Sequence, residues 1–126
     1  MIKITAIFRS IRYAFTGLIH VVKTQNNARF HLLATLLVLA LSVWLDLSLS
    51  QWGFIFIAVA VVWITECFNT SIEELFNLIH PDKHPIVKNG KDSGAAAVLV
   101  AATLSVALGS LVLIPELITK IQSLFK

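Results

Sequence analysis

Three side chains near the middle of the chain have types and spacing suited to proton and cation chemistry: Glu66, Asn69 and Glu73. They fall at i, i+3 and i+7. At about 100° and about 1.5 Å per residue, a helix puts all three on one face within about 10 Å of axis. Glu74 lies about a quarter-turn away. A face carrying a carboxylate, an amide and a second carboxylate can divide labour, one acid group taking a proton and the other holding a hard cation. The plainer reading is that the carboxylates are solvated, with Glu73 and Glu74 paired to Lys83 or Lys88. That suits Glu74. It suits Glu66 less, because the run Trp52 to Thr65 before it carries no charge. A charge in such a helix costs roughly 2.5–3.5 kcal/mol in a bilayer, so an acidic residue there is a functional candidate by default.

A second block is Gly90-Lys91-Asp92-Ser93-Gly94. A lysine at the start of a helix can meet phosphate. The block is not a nucleotide-binding P-loop, which would need glycine where Pro85 stands and Ser or Thr where Asp92 stands. By itself it also reads as a turn and helix N-cap. Gly90 and Gly94 form a small-xxx-small pair, a weak sign of close helix packing.

The elements that must carry these residues follow from composition. Hydrophobic residues make up 57% of the 126 and charged ones 13%, against about 45–50% and about 25% in soluble domains. A soluble fold this small buries only about two-thirds of its unfolded surface, so the excess implies a bilayer as solvent. The chain reads as one all-α integral membrane domain over 1–126. Over 1–28, Ile4, Ile7, Phe8, Ile11, Phe15, Leu18, Ile19 and Val22 recur at helical spacing beside Lys3, Arg9, Arg12 and Lys23, which predicts an amphipathic surface helix. A first span is expected over 30–49, apolar apart from His31, Thr35 and Ser42, with Trp44 and Trp52 as interfacial anchors. A second helix is expected over 52–79, ending before Pro81. Residues 80–92 read as a polar loop with Pro81, Pro85 and Gly90. The uncharged run after Asp92 predicts a third span over 93–115, closed by Pro115 and Glu116.

The net charge of +3 comes from basic residues flanking apolar runs rather than from a polar reading face, so nucleic acid is not the expected partner. Lys3, Arg9, Arg12, Lys23 and Arg29 precede the first span, and Lys83, Lys88 and Lys91 lie between the second and third. The positive-inside rule puts both groups in the cytoplasm, with the short turn near 46–51 and the C-terminus outside, although Lys120 and Lys126 run against it. The dispersed early charges predict no cleaved leader. Cys67 is single and reads as a packing residue, and His20, His31, His80 and His84 have no metal-ligand spacing.

The stretch Glu66-Cys67-Phe68-Asn69-Thr70-Ser71-Ile72-Glu73, followed by Lys91-Asp92-Ser93-Gly94-Ala95-Ala96-Ala97-Val98-Leu99, resembles the prokaryotic diacylglycerol kinase family, which includes undecaprenol kinases. The family signature is E-x-x-N-[TS]-[AS]-I-E, then K-D-x-[GA]-[SA]-[AG]-A-V-L, and the likeness extends over nearly the whole chain, including Tyr13, Gly17, Arg29 and Trp44. The resemblance implies a homotrimer in the bacterial inner (cytoplasmic) membrane, with active sites between subunits on the cytoplasmic side. It implies transfer of the γ-phosphate of ATP, with Mg²⁺, to a lipid hydroxyl: diacylglycerol first, undecaprenol as the alternative. By residue match it makes Glu66 the catalytic base and Asn69 its polar neighbour, and Glu73 a magnesium ligand. Lys91 and Asp92 become nucleotide contacts, with Tyr13, Asp82 and His84 as weaker ones. One departure stands out. Where the family usually has a second acidic metal ligand, this chain has Gln25, an amide that can ligate a hard cation without neutralising it.

Two readings of other classes compete: a non-catalytic protein whose polar face packs a partner helix, and an ion pathway built on Glu66 and Glu73. Neither explains the Lys91-Asp92 block.

Overall fold

The computed structural model describes residues 3–79 and 84–125, and within them the regular structure is all α-helix, broken at Gln25 and at the turn 45–48. Four helices follow one another: α1 (Ile4–Thr24), α2 (Asn26–Trp44), α3 (Leu49–Ile79) and α4 (Pro85–Leu124). The last three are long and apolar enough to cross a membrane. Leu33, Leu36, Leu37, Phe54, Ile57, Leu99, Val100 and Leu111 are exposed along them, as expected where the surrounding solvent is lipid.

The α3–α4 pair is the most extensively packed, and α2 rests on α3 more lightly. Small residues let α3 and α4 approach closely. Ala58 and Ala101 are buried, and Ser105 Oγ on α4 donates to the Ala58 carbonyl on α3 at 2.8 Å. Without a hydrophobic force between helices in lipid, such close contacts and interhelical hydrogen bonds hold a bundle together. Trp63 Nε1 on α3 donates to Thr35 Oγ1 on α2 at 3.1 Å, which gives both groups a partner. At the α2–α3 turn, Leu45, Leu47, Ile55 and Val112 form an apolar plug. A polar clasp closes that end: Gln51 Nε2 donates to Glu116 Oε1 at 2.6 Å, and Lys120 Nζ to Asp46 Oδ2 at 2.8 Å. Asp46 turns the chain with φ 57°, a left-handed conformation that Asp tolerates better than most side chains.

The helices differ from the expected spans in ways with identifiable causes. The segment expected as one surface helix to residue 28 breaks at Gln25, which is extended (φ −105°, ψ 123°), and α2 begins at Asn26. The turn ends at Ser48, so α3 starts before Trp52, with Ser48 N–H held by Gln51 Oε1 at 2.8 Å. The largest difference is at α4. The described part of the expected polar loop is helix from Pro85 onward, so Gly90 to Gly94 is neither a turn nor an N-cap. His84 is the N-cap, its Nδ1 accepting from Ile86 N–H, and Pro85 takes the first helical position, where a missing N–H costs nothing. Gly90 and Gly94 are tolerated mid-helix because they face α3: a Cβ on Gly90 would lie 2.5 Å from the Phe76 ring. Nor does Pro115 end α4, which runs on to Leu124. Proline is accepted inside membrane helices where local adjustment or neighbouring groups satisfy the freed carbonyl.

The close α3–α4 approach gives a test. Ala58→Leu forces extra volume into the seam and is expected to cost about 1–3 kcal/mol. Ser105→Ala, which removes only the interhelical hydrogen bond, is expected to cost about 0.6 kcal/mol. Thermal unfolding in detergent measures both.

Candidate functional site

The acidic face predicted on α3 exists as one polar stripe. Glu66, Asn69 and Thr70 are buried, Glu66 with only 1% of its surface exposed, and Glu73 is half-buried. Thr70 Oγ1 donates back to the Glu66 carbonyl at 2.9 Å and so spends its hydroxyl on its own helix. Asn69 Nδ2 donates to Glu73 Oε1 at 3.2 Å, one turn along. From the α1–α2 joint, Gln25 Nε2 donates to Glu73 Oε2 at 3.3 Å. The Glu73 carboxylate is therefore held between two amides, one from its own helix and one from the break in the chain. The extended backbone at Gln25 is what aims its side chain at α3 instead of along α1.

Two oxygens at this site are buried without a hydrogen-bond partner among the described residues: Glu66 Oε2 and Asn69 Oδ1. An unsatisfied buried acceptor costs about 1–3 kcal/mol, and more when charged. His31 from α2 faces the first, its Nε2 3.9 Å from Glu66 Oε2. The second is pressed against Gly94 of α4, where a Cβ would collide with Asn69 Oδ1. So the second sequence block meets the first by close packing at a glycine.

The remaining predicted residues separate. Lys91 Nζ donates to Asn77 Oδ1 at 2.6 Å, which holds it beside the end of α3. Asp92 is exposed and pairs with Lys88 on its own helix. His84 caps α4. Tyr13 is 66% exposed on α1, and among the described residues no hydrogen bond joins it to Glu66, Asn69 or Glu73. Asp82 lies outside the described residues. Glu74 does not pair with Lys88 as the plainer reading had it. Its partner is His20 of α1, at 2.5 Å, so α1 and α3 are linked near Glu73 by both His20 and Gln25. Lys83, the other expected partner, is also outside the described residues.

Sequence reasoning passed over His31 and His20, since four scattered histidines have no ligand spacing. The usable signal was position: His31 is the one ionisable side chain in the α2 apolar run, where polar residues are retained for a reason. Below His31 a groove of about 420 Å³ opens between α2 and α4, lined by apolar residues such as Phe30, Val38, Ile55, Ala102 and Leu117.

Residues 12–113 match the family described as prokaryotic diacylglycerol kinase. The chain belongs to the prokaryotic diacylglycerol kinase family. It is 34% identical to an undecaprenol kinase of Bacillus subtilis, over 87% of this chain and 89% of that protein. It is 32% identical to a diacylglycerol kinase of Synechocystis over 87% of this chain and 63% of that one. A diacylglycerol kinase of Escherichia coli is 29% identical over 81% and 84%. The chain is thus a lipid kinase, an enzyme with membrane-type helices, and membership of a kinase family implies ATP as its co-substrate.

Glu73 presents carboxylate oxygen, the hard donor that suits Mg²⁺, while both amides beside it present N–H. Among the described residues no group of three or more His, Cys, Asp and Glu converges on one point. Gln25 presents its N–H to Glu73, and rotating the amide about its last torsion would offer oxygen instead.

The two glycines of α4 give a paired prediction. Gly94→Ala must displace the Asn69 side chain and with it the bond to Glu73, and is expected to lower kinase turnover at least about tenfold. Gly90→Ala meets only the end of the Phe76 ring, which can turn aside, and is expected to cost about 1 kcal/mol or less of stability. Turnover per mass of folded, detergent-purified protein separates the two.

Proposed function

We propose that this chain is an ATP-dependent kinase of a membrane alcohol, in which Glu66 takes the proton from the lipid hydroxyl as the γ-phosphoryl group arrives. The observation that carries the reading is Glu66 itself. It is a carboxylate buried in the apolar part of α3, with one oxygen lacking a hydrogen-bond partner, one face-length from a second carboxylate held by two amides. A general base must come within hydrogen-bond reach of the proton it removes, and a lipid hydroxyl is the kind of group that can enter such a site from the bilayer side.

Phosphoryl transfer is catalysed mainly by positioning and charge neutralisation. In this reading Asn69 fixes the Glu73 carboxylate, and Glu73 with Gln25 would hold Mg²⁺. When bound, that cation would supply positive charge against the phosphates. Lys91, at the phosphate-facing end of the stripe, supplies a further positive charge. Asp92, Tyr13, His84 and Asp82 are assigned to the nucleotide by resemblance to the family. The same reading takes 1–126 as one kinase domain. It lays α1 on the cytoplasmic surface of the bacterial inner membrane, with Ile7, Phe8, Ile11 and Phe15 toward lipid, and assembles three copies into a trimer.

For the acceptor we take undecaprenol as the first reading, because the relative named an undecaprenol kinase is matched nearly end to end. Diacylglycerol is the second, favoured by the family description and the other relatives. Transfer of labelled phosphate from Mg-ATP to undecaprenol and diacylglycerol in mixed micelles decides between them. Glu66→Gln is expected to lower transfer by about 10²–10⁴-fold. Transfer that persists in this variant would rule Glu66 out as the base. No labelled lipid from folded wild-type protein would sink the kinase reading for these two lipids. Gln25→Glu adds a second acidic ligand and is expected to lower the Mg²⁺ concentration for half-maximal rate, read from a magnesium titration.

A further inference from the structure

The pair formed by His31 and Glu66 is used by none of the roles assigned so far. Its two side chains come from different helices, α2 and α3, and are 14% and 2% exposed. The histidine nitrogen that faces Glu66 points at the oxygen left without a partner. The other groups that could serve Glu66 are committed elsewhere. Asn69 Nδ2 is bonded to Glu73, Thr70 Oγ1 to a backbone carbonyl, and Lys91 Nζ to Asn77. α4 brings no charge between Gly94 and Pro115. On α1, His20 is engaged with Glu74. Along its own helix the next acid is Glu73, of like charge. Among the described residues His31 is the one basic side chain paired with Glu66.

From this geometry we infer that His31 is a positioning residue for the phosphoryl transfer: its Nε2–H holds the Glu66 carboxylate aimed at the lipid hydroxyl. The inference rests on Glu66 being the base. The separation of 3.9 Å is about 1 Å longer than a hydrogen bond. Catalytic hydrogen bonds are commonly loose before substrate binds and tighten in the working complex. The edge-on Phe30 ring, with centroids 6.0 Å apart, gives the imidazole a wall on its own helix. The histidine also stands at the head of the apolar groove between α2 and α4, so it sits where a chain-bearing alcohol would present its polar end. Without that neighbour the carboxylate is free to turn away from the hydroxyl whose proton it takes.

The test compares H31A and H31Q with wild type and E66Q in mixed micelles, at matched amounts of folded protein. H31A is expected to lower kcat by about tenfold or more, less than the roughly 10²–10⁴ that the base itself contributes. KM for ATP and for lipid is expected to stay within about threefold, since the histidine acts through Glu66 and not on substrate binding. H31Q keeps an N–H donor and retains more of kcat than H31A does. Added imidazole restores rate to H31A but not to E66Q. A merely structural histidine would show neither of these last two effects. Wild-type kcat in H31A would overturn the inference while leaving Glu66 as base. So would an equal loss in H31A and H31Q with no response to imidazole. If E66Q itself keeps wild-type transfer, the reading of Glu66 fails first, and His31 has nothing to position.

Discussion

The arrangement depends on one constraint: a carboxylate lies in the apolar body of a helix that is long and apolar enough to cross a membrane, with one oxygen unpaired. Such a group is costly in lipid and is kept only where surrounding structure holds it. Here the holding is shared. α2 offers a histidine, α3 offers the amide and second carboxylate of its own stripe, and α4 presses its glycines against the same face. The small residues of the α3–α4 seam make this possible, because larger ones would hold α4 away from Asn69. The stability of the pair and the geometry of the polar stripe are consequences of the same packing.

The polar ends of the bundle are organised differently. At the α2–α3 turn, Gln51, Glu116, Lys120 and Asp46 pair with one another around an apolar plug, and every one of these contacts is between parts of the scaffold. At the other end the polar groups bridge separate elements through single contacts: Gln25 to Glu73, His20 to Glu74, Lys91 to Asn77. The first end is built to stay closed. The second holds its elements together through isolated polar contacts rather than a closed cluster.

Much of this was legible in the residues. Three apolar runs gave three helices, and the i, i+3, i+7 spacing put Glu66, Asn69 and Glu73 on one face, because helical periodicity is local. What local rules missed came from tertiary contact. Gly90 and Pro85 look like breakers until α3 is packed against them and the proline sits at the first helical turn. Pro115 looks like a terminus until the chain around it is helical on both sides. The pairing of His31 with Glu66, and of His20 with Glu74, joins residues far apart in sequence and could not be read from spacing. Gln25 was marked by the family resemblance, as an amide where the family usually has an acid, but its role as the break between two helices was not visible in composition.

That break has a mechanical meaning. One extended residue has two soft torsions and a reach of about 3.5 Å. It redirects the chain without room for slide, and Arg29 of α2 spans the break, its guanidinium donating to the Val22 and Lys23 carbonyls of α1. The side chain on this pivot is bonded to Glu73, and His20, five residues before it, is bonded to Glu74. The end of the first helix is therefore tied to both α2 and α3. Lengthening α1 by one residue ahead of the pivot would turn its outer face by about 100°, so the joint tolerates exchange of residue type far better than a change of length.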